Sequence, residues 1–527
     1  MAVEAFFAAR RRISIPFMLA AIAGLVALLP LLGVITTALF GETADIAARD
    51  IFRYAATSAW LALFVGGATA VLGTLAAWLI VMHRFPGSDI FAWALALPLA
   101  VPAFALAYAY TDLFDVAGPL RMTMRGNMGF DLPFGMRGLG GAVFVLSFAF
   151  YPYVYLAMRA AFLNQSVNVT EAARTLGCDG WLALYRVALP MARPALAAGV
   201  ALAVMETLAD YGAVQFLNVQ TLTTGIVRAW SVYGSTVSAA RLALPLLATA
   251  ALLLWIERRG RPGRLHEAGN ARWRTLPVKN LSGRRAWLAS AFCLLLITAG
   301  LLLPVGWLLF NALDTSPDWT RLLRAGSHSL MLGIMGSAVT VALATMLALG
   351  TRRLPMAARL ASLGYATPGA VMAIGLLVPA GIIWNLMPDS GYIIAIALLI
   401  YAYAARLMAA ALEPIDAGLT RVTPSMIHAA RSLGRSETSS ALAVELPVAR
   451  GAMLTASLIV FIDVLKELPA TLILRPFDFD TLAVVANNYA LDERLEQAGT
   501  PSILIILLSL PAVIWLTRKI AFSRPGT

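Results

Sequence analysis

Charge is scarce in this 527-residue chain: Asp, Glu, Lys and Arg make up 13% of it, about half of the roughly 25% found in soluble globular domains. Lysine is rarer still, since three lysines stand against 37 arginines. Only Cys178 and Cys293 are present, which excludes a disulfide framework. The four histidines, His83, His266, His328 and His428, lie far apart, so no Cys/His cluster has the spacing of a metal site and no resident metal or other cofactor is expected. The sequence also lacks a G-x-x-x-x-G-K-[ST] loop; without its backbone amides and lysine to cradle phosphates, the chain is not an ATPase by itself. No acid, base and nucleophile recur at a common depth, which argues against a membrane-embedded enzyme.

What fills the chain is apolar sequence. Hydrophobic residues make up 60% of it, in runs long enough at 1.5 Å per residue to cross a hydrocarbon core of about 30 Å. Stopping each run at charge or Gly/Pro clusters predicts spans at 15–39, 59–81, 90–112, 138–158, 195–216, 236–257, 287–311, 329–350, 359–385, 391–412, 451–474 and 501–517. The protein is therefore expected to be all-α and polytopic, with about 12 transmembrane helices. Pro379, Asn385 and Pro388 interrupt the longest stretch and mark a short turn. The first run lacks a small-residue cleavage pattern after a short apolar core and is expected to remain as a span, not to be removed as a signal peptide.

The basic residues set the direction of threading. With the N-terminus inside, 28 of the 40 Lys and Arg fall in inner segments, 11 in outer segments, and Lys466 within a span. Basic residues in short loops favour the cytoplasmic side, so both termini are expected there. The net charge of +12 is dispersed between apolar spans, which points to a lipid bilayer and not to nucleic acid. Residues 258–285 are basic and rich in Gly and Pro and read as a cytoplasmic linker between a first transmembrane domain, 1–257, and a second, 286–527.

Those two parts are related. Residues 171–196, EAARTLGCDGWLALYRVALPMARPAL, align without gaps to 428–453, HAARSLGRSETSSALAVELPVARGAM, with 11 of 26 positions identical at an offset of 257. The same offset pairs Glu206 with Asp463, Leu208 with Leu465, Asp210 with Glu467 and Thr224 with Thr481. Six spans per half is an even number, so the halves are predicted to be homologous, parallel six-helix repeats about an axis along the membrane normal, with both repeated segments cytoplasmic.

Each repeated segment reads as a short helix. Ser166 is a candidate cap for the first copy, Thr423 before Pro424 starts the second, and Gly177 and Gly434 end them. Ala172, Ala173 and Leu176, like Ala429, Ala430 and Leu433, place small and apolar surface on one side. Leu189–Pro190 and Leu446–Pro447 are expected to end the segment before the next span. Glu-Ala-Ala, then Arg-X-Leu, then Gly, with Leu-Pro further on, resembles the EAA loop of binding-protein-dependent ABC importer permeases. The resemblance implies a MetI-like permease fold in a bacterial inner membrane, two copies of a cytoplasmic ABC ATPase and a periplasmic substrate-binding protein. It carries ATPase coupling onto Glu171, Ala172, Ala173 and Gly177, and onto Ala429, Ala430 and Gly434; His428 stands where the motif has an acid. The fused format, with residues 206–230 and 463–483, resembles ferric iron permeases, which implies a ferric iron-binding periplasmic partner. Fused thiamine and phosphonate permeases share the layout, and a secondary transporter would share the repeat and the buried carboxylates without needing an ATPase.

Charges inside the spans are the remaining signal. Glu206 and Asp210 are four apart, Asp463 and Lys466 three apart, so each pair shares a helix face. Ionisable groups at such depths face a bundle interior or a water-filled path. Glu206, Asp210, Asp463, Lys466 and Glu467 are therefore candidates for a translocation path, with a structural Asp463–Lys466 pair as the competing reading. Glu467 and Asp210, at matching repeat positions and followed by Pro469 and Gly212, are alternatively expected to mark its outer mouth. A trivalent cargo calls for weak, transient contacts, since release matters as much as capture.

Overall fold

The computed structural model describes residues 15–41, 47–115, 118–129, 135–163, 165, 181–260, 278–350 and 355–522. Among them, eleven helices are long and apolar enough to cross a membrane, and the pair Ser88–Ala100 and Ala103–Asn127, bent by 90°, has the length and composition of a twelfth if it is one broken span. The chain is an all-α, polytopic membrane protein of two pseudo-symmetric halves. Leu25, Leu32 and Leu39 of the first span and Leu63 and Phe64 of the second are exposed, as lipid-facing positions should be. Trp255, Trp287 and Trp319 are exposed near span ends, where an amphipathic ring suits the headgroup level.

Several span limits differ from the sequence-based ones, each for a backbone reason. The third span breaks at Val101, whose extended backbone precedes Pro102, because proline lacks the helical donor and pushes the preceding residue out of the α region. The ninth breaks in the same way, with Pro368 extended between helices Pro355–Ala366 and Gly369–Leu386. The fifth and eleventh spans run Leu184–Ala209 and Thr438–Lys466, beginning and ending earlier than their hydropathy suggests. Leu-Pro does not end the preceding segment as expected. A single π-helical turn, Leu184–Ala188 in one half and Ala441–Glu445 in the other, delivers each proline to the second residue of an α-helix, where its missing N–H costs little.

The halves are interlocked by their first spans. The first span, Ile15–Phe40, lies against helices of the eighth, ninth and tenth spans, and the seventh, Gly283–Asp314, lies against the third and twelfth. At the first crossing Gly33 meets Gly375 so closely that a Cβ on Gly33 would stand 2.0 Å from the Gly375 carbonyl oxygen. Pro30 leaves the Val26 carbonyl without its helical donor, and the Tyr401 hydroxyl donates to it at 2.7 Å. At the second crossing the π-turn Thr298–Leu302 precedes Pro304, which leaves the Ala299 carbonyl open, and the Tyr110 hydroxyl donates to it at 2.6 Å. Asp112 there accepts from Trp307 Nε1 and Asn311 Nδ2, both at 2.7 Å. Freed backbone groups in a membrane need such partners.

Beyond the fifth spans the repeat register changes. Asn218 and Asp478 both have positive φ, 58° and 61°, and Thr221 and Thr481 occupy the N-cap of the helices that follow, Leu222–Ser231 and Leu482–Leu491. Ser58 and Ser329, each on the second span of its half, accept from the first amide of those helices at 2.8 and 2.9 Å. The structural counterpart of Thr481 is thus Thr221, not Thr224 as the gapless alignment pairs them. The loop Arg475–Pro476–Phe477 supplies the added residues in the second half.

Candidate translocation site

The charged residues of the two fifth spans meet between the halves. A cavity of about 90 Å³ is lined by Glu206, Asp210, Asp463, Lys466 and Glu467, by Tyr153, and by the broken third span around Val101 and Pro102. All five candidate path residues are therefore brought together. Asp463 and Lys466 form the pair that their spacing predicts, with Nζ 3.4 Å from Oδ1. Lys466 also donates to the Leu99 carbonyl at 3.0 Å, across the halves. Its neighbour in the break, the Ala100 carbonyl, accepts from Ser509 Oγ at 2.9 Å. The proline break thus frees two carbonyls, those of Leu99, which lines the cavity, and of Ala100 beside it, and side chains of the second half satisfy both.

Asp210 and Glu467 have a common local role. Each lies just after its fifth span and turns back as an acceptor for the next short helix, Gly212–Phe216 or Pro469–Leu474. Asp210 Oδ1 accepts from the Val214 amide at 3.1 Å. Glu467 accepts from the amides of Ala470 and Thr471 at 3.0 and 3.1 Å and from Thr471 Oγ1 at 2.9 Å. Carboxylates are favoured at helix N-termini because the unpaired amides carry partial positive charge. The glycine that starts the ninth span's second helix leaves room for this carboxylate: a Cβ on Gly369 would lie 2.1 Å from Glu467 Oε1. Both acids sit just beyond the ends of their fifth spans and line the same cavity.

Arg406 is the member that sequence reasoning missed. It was counted among the cytoplasmic basic residues although it falls within the predicted span 391–412, and it lies inside the helix Gly391–Leu419 with its side chain only 12% exposed. Its guanidinium stands 3.8 Å from Glu206 of the first half and 3.6 Å from Glu467 of the second. Both are ion-pair distances longer than a hydrogen bond, and Nε is buried with no hydrogen-bond partner among the described residues. The signal was available: a lone arginine in the run IIAIALLIYAYAARLMAAAL is expensive in a membrane and is expected to face a partner. Away from the cavity, Arg137 ties Asp115 to Glu493 across the halves, at 3.4 and 2.8 Å. Among the described residues no group of three or more His, Cys, Asp or Glu is placed to hold a metal ion.

The second repeated segment forms the helix Pro424–Ser432, with Thr423 at its N-cap. The Thr423 hydroxyl meets Ser425 Oγ at 2.8 Å and does not cap a backbone amide. At the other end Gly434 has φ +81°, its amide donates to Arg431 O, and the Arg435 amide donates to Ala430 O. This is the paired closure of a Schellman turn, which favours glycine at the left-handed position. Ala430 is buried, while Met426, Ala429 and the 82%-exposed Leu433 present an outward apolar edge. The expected common face of Ala429 and Ala430 is divided between the protein's interior and its surface. Glu171, Ala172, Ala173 and Gly177 of the first copy lie outside the described residues.

Comparison with known proteins finds likenesses in part and along the length of the chain. Residues 69–259 match the family described as binding-protein-dependent transport system inner membrane component. The chain is similar to the Fe(3+)-transport system permease protein FbpB 2 of Haemophilus influenzae, 26% identical over 464 residues that cover 86% of this chain and 87% of that protein. It is also similar to the sulfate transport system permease protein CysT of Escherichia coli, 32% identical over 32% of this chain and 57% of that protein. The molybdenum transport system permease protein ModB of the same organism is 29% identical over 36% of this chain and 88% of that protein.

Proposed function

We propose that this chain, a non-catalytic transmembrane permease subunit of a binding-protein-dependent ABC importer built as two fused halves, carries ferric iron across a bacterial inner membrane. The observation that carries the cargo is the similarity to an Fe(3+) permease along 86% of the chain, where the sulfate and molybdenum permeases align with about a third of it. The cavity supports it: four carboxylates, Glu206, Asp210, Asp463 and Glu467, share its walls with two basic groups, Arg406 and Lys466. The acids exceed the bases, which lowers the barrier for a cation, while the basic groups keep the site from holding it tightly. A periplasmic binding protein, here a ferric iron-binding one, supplies selection.

On this reading the helix Pro424–Ser432 and its counterpart around Glu171, Ala172, Ala173 and Gly177 dock two copies of a cytoplasmic ABC ATPase. Ala429, Gly434 and the edge of Met426 and Leu433 form the second contact, with Ala430 anchoring the helix to the protein. Both termini and the 258–285 linker are cytoplasmic, and the linker joins transmembrane domains 1–257 and 286–527. Arg406 and Lys466 favour an oxyanion as the second reading, since either could meet a sulfate or molybdate oxygen. Uptake into proteoliposomes containing the chain, its ATPase and its binding protein distinguishes the two: radiolabelled ferric iron should accumulate with ATP and the binding protein, and accumulation of sulfate or molybdate in its place would overturn the iron assignment.

A further inference from the structure

We propose that Arg406 is a latch between the halves: it holds the path shut by bridging Glu206 of the first half to Glu467 of the second, and the path opens when the Glu206 arm is released. This rests on the permease reading and not on the cargo.

The two arms are built differently. Glu467 is fixed within its own half by three donors, two amides and Thr471 Oγ1. Thr471 Oγ1 also meets the hydroxyl of Tyr403 at 2.6 Å, and Tyr403 lies three residues before Arg406 on the same helix. Arg406, Tyr403, Thr471 and Glu467 are thus one unit that can move with the second half. Glu206 lies on the other half, 3.8 Å from the guanidinium. The bridge is loose, with neither arm at hydrogen-bond distance and Nε unpartnered among the described residues, as suits a contact that must exchange.

The bridge spans the cavity between the halves. Arg406, Glu206 and Glu467 all line it, and its walls come from both halves. Parting the halves here breaks the Glu206 arm, because Arg406 and Glu467 belong to the second half and Glu206 to the first. At the offset of 257 the counterpart of Arg406 is Ala149, which lines the same cavity, so a single arginine serves both carboxylates and has no symmetric double. Separation leaves Arg406 on Glu467 and uncovers Glu206, placing an unmasked carboxylate on the path only in the open state.

The test uses the full chain assembled with its ATPase in proteoliposomes, without binding protein or cargo, and reads ATP hydrolysis. If the latch holds the resting state, Glu206→Gln and Arg406→Gln each raise unstimulated hydrolysis, by about 5- to 30-fold for a bridge of ordinary strength. The double variant should rise no further than the larger single effect, because both changes remove one contact. Arg406→Lys, which keeps the charge, should rise less than Arg406→Gln. Arg406→Gln leaves Glu467 buried beside a neutral group and can fail to fold; in that event Glu206→Gln, which removes only the cross-half arm, decides alone. Unchanged hydrolysis in folded Glu206→Gln, or additive effects in the double variant, would overturn the latch. Iron uptake is not read, so a different cargo would leave this result standing, whereas a chain that binds no ATPase would overturn both this inference and the permease reading.

Discussion

Substituting alanine at the Gly33–Gly375 crossing tests the interlocking of the halves. A Cβ on Gly33 would sit 2.0 Å from Gly375 O, and one on Gly375 would sit 1.9 Å from Pro30 O, against an ordinary carbon–oxygen contact of a little over 3 Å. The atoms in the way are backbone, so no side chain can swing aside; the helices must part by more than an ångström. In a membrane, helices gain little from burying apolar surface that lipid would cover equally well, and close backbone packing carries the association. Overpacking of this kind costs about 1–3 kcal/mol, set against up to about 1 kcal/mol gained from replacing a helical glycine by alanine. Gly67, exposed on the second span with nothing within 4 Å of its Cβ position, isolates the second quantity. Unfolding titrations in mixed detergent micelles should therefore find Gly67→Ala neutral or stabilising, and Gly33→Ala and Gly375→Ala destabilising. The double variant should cost less than the two single costs combined, because one separation accommodates both methyl groups. Gly33→Ala and Gly375→Ala as stable as Gly67→Ala would refute the close crossing.

Three further outcomes follow from other parts of the protein. Lys466→Met strips the partner from Asp463 and the donor from Leu99 O and should cost up to about 3–5 kcal/mol, with Asp463→Asn/Lys466→Met recovering part of the folded yield; equal yields for Lys466→Met and the parent would reject the pair, and full uptake in Asp463→Asn would reject a path role for the acid. Gly434→Val forces a β-branched residue to φ +81°, at about 1–2 kcal/mol of local strain, and should weaken copurification of the ATPase while the chain still reaches the membrane; undiminished copurification would remove this turn from the coupling contact. A reporter active only outside the cytoplasm should be silent when fused within residues 258–285 and active near 125 or 320, and activity in the linker would reverse the six-plus-six threading.

The spans were legible because hydropathy reports directly what lipid will accept, and the pairing of Asp463 with Lys466 was legible because three residues is a local helical spacing. Their convergence with Glu206 on one cavity could be expected from the repeat. The ends of the fifth spans could not be read in the same way: apolar sequence continues past Asp210 and Glu467, and only the hydrogen bonds of those carboxylates to the amides beyond reveal that the helix has stopped. Leu-Pro looked like a terminator because proline usually is one, yet one π-helical turn is enough to carry the helix through. Arg406 was absorbed into a loop count although the span 391–412 already contained it, because it was grouped with the basic residues that follow that span up to Arg450. The crossing of the first span onto the other half left no hydropathy signal at all; Gly33 and Gly375 become a pair only once their backbones are seen to touch.

The central claim, that one chain supplies both halves of an importer's membrane component, is tested most directly by the mass of the intact assembly. Native mass spectrometry of the complex purified through this chain should find one copy of it with two ATPase subunits. Two copies of the chain per ATPase pair, or a chain that retains no ATPase under conditions preserving its fold, would contradict the account.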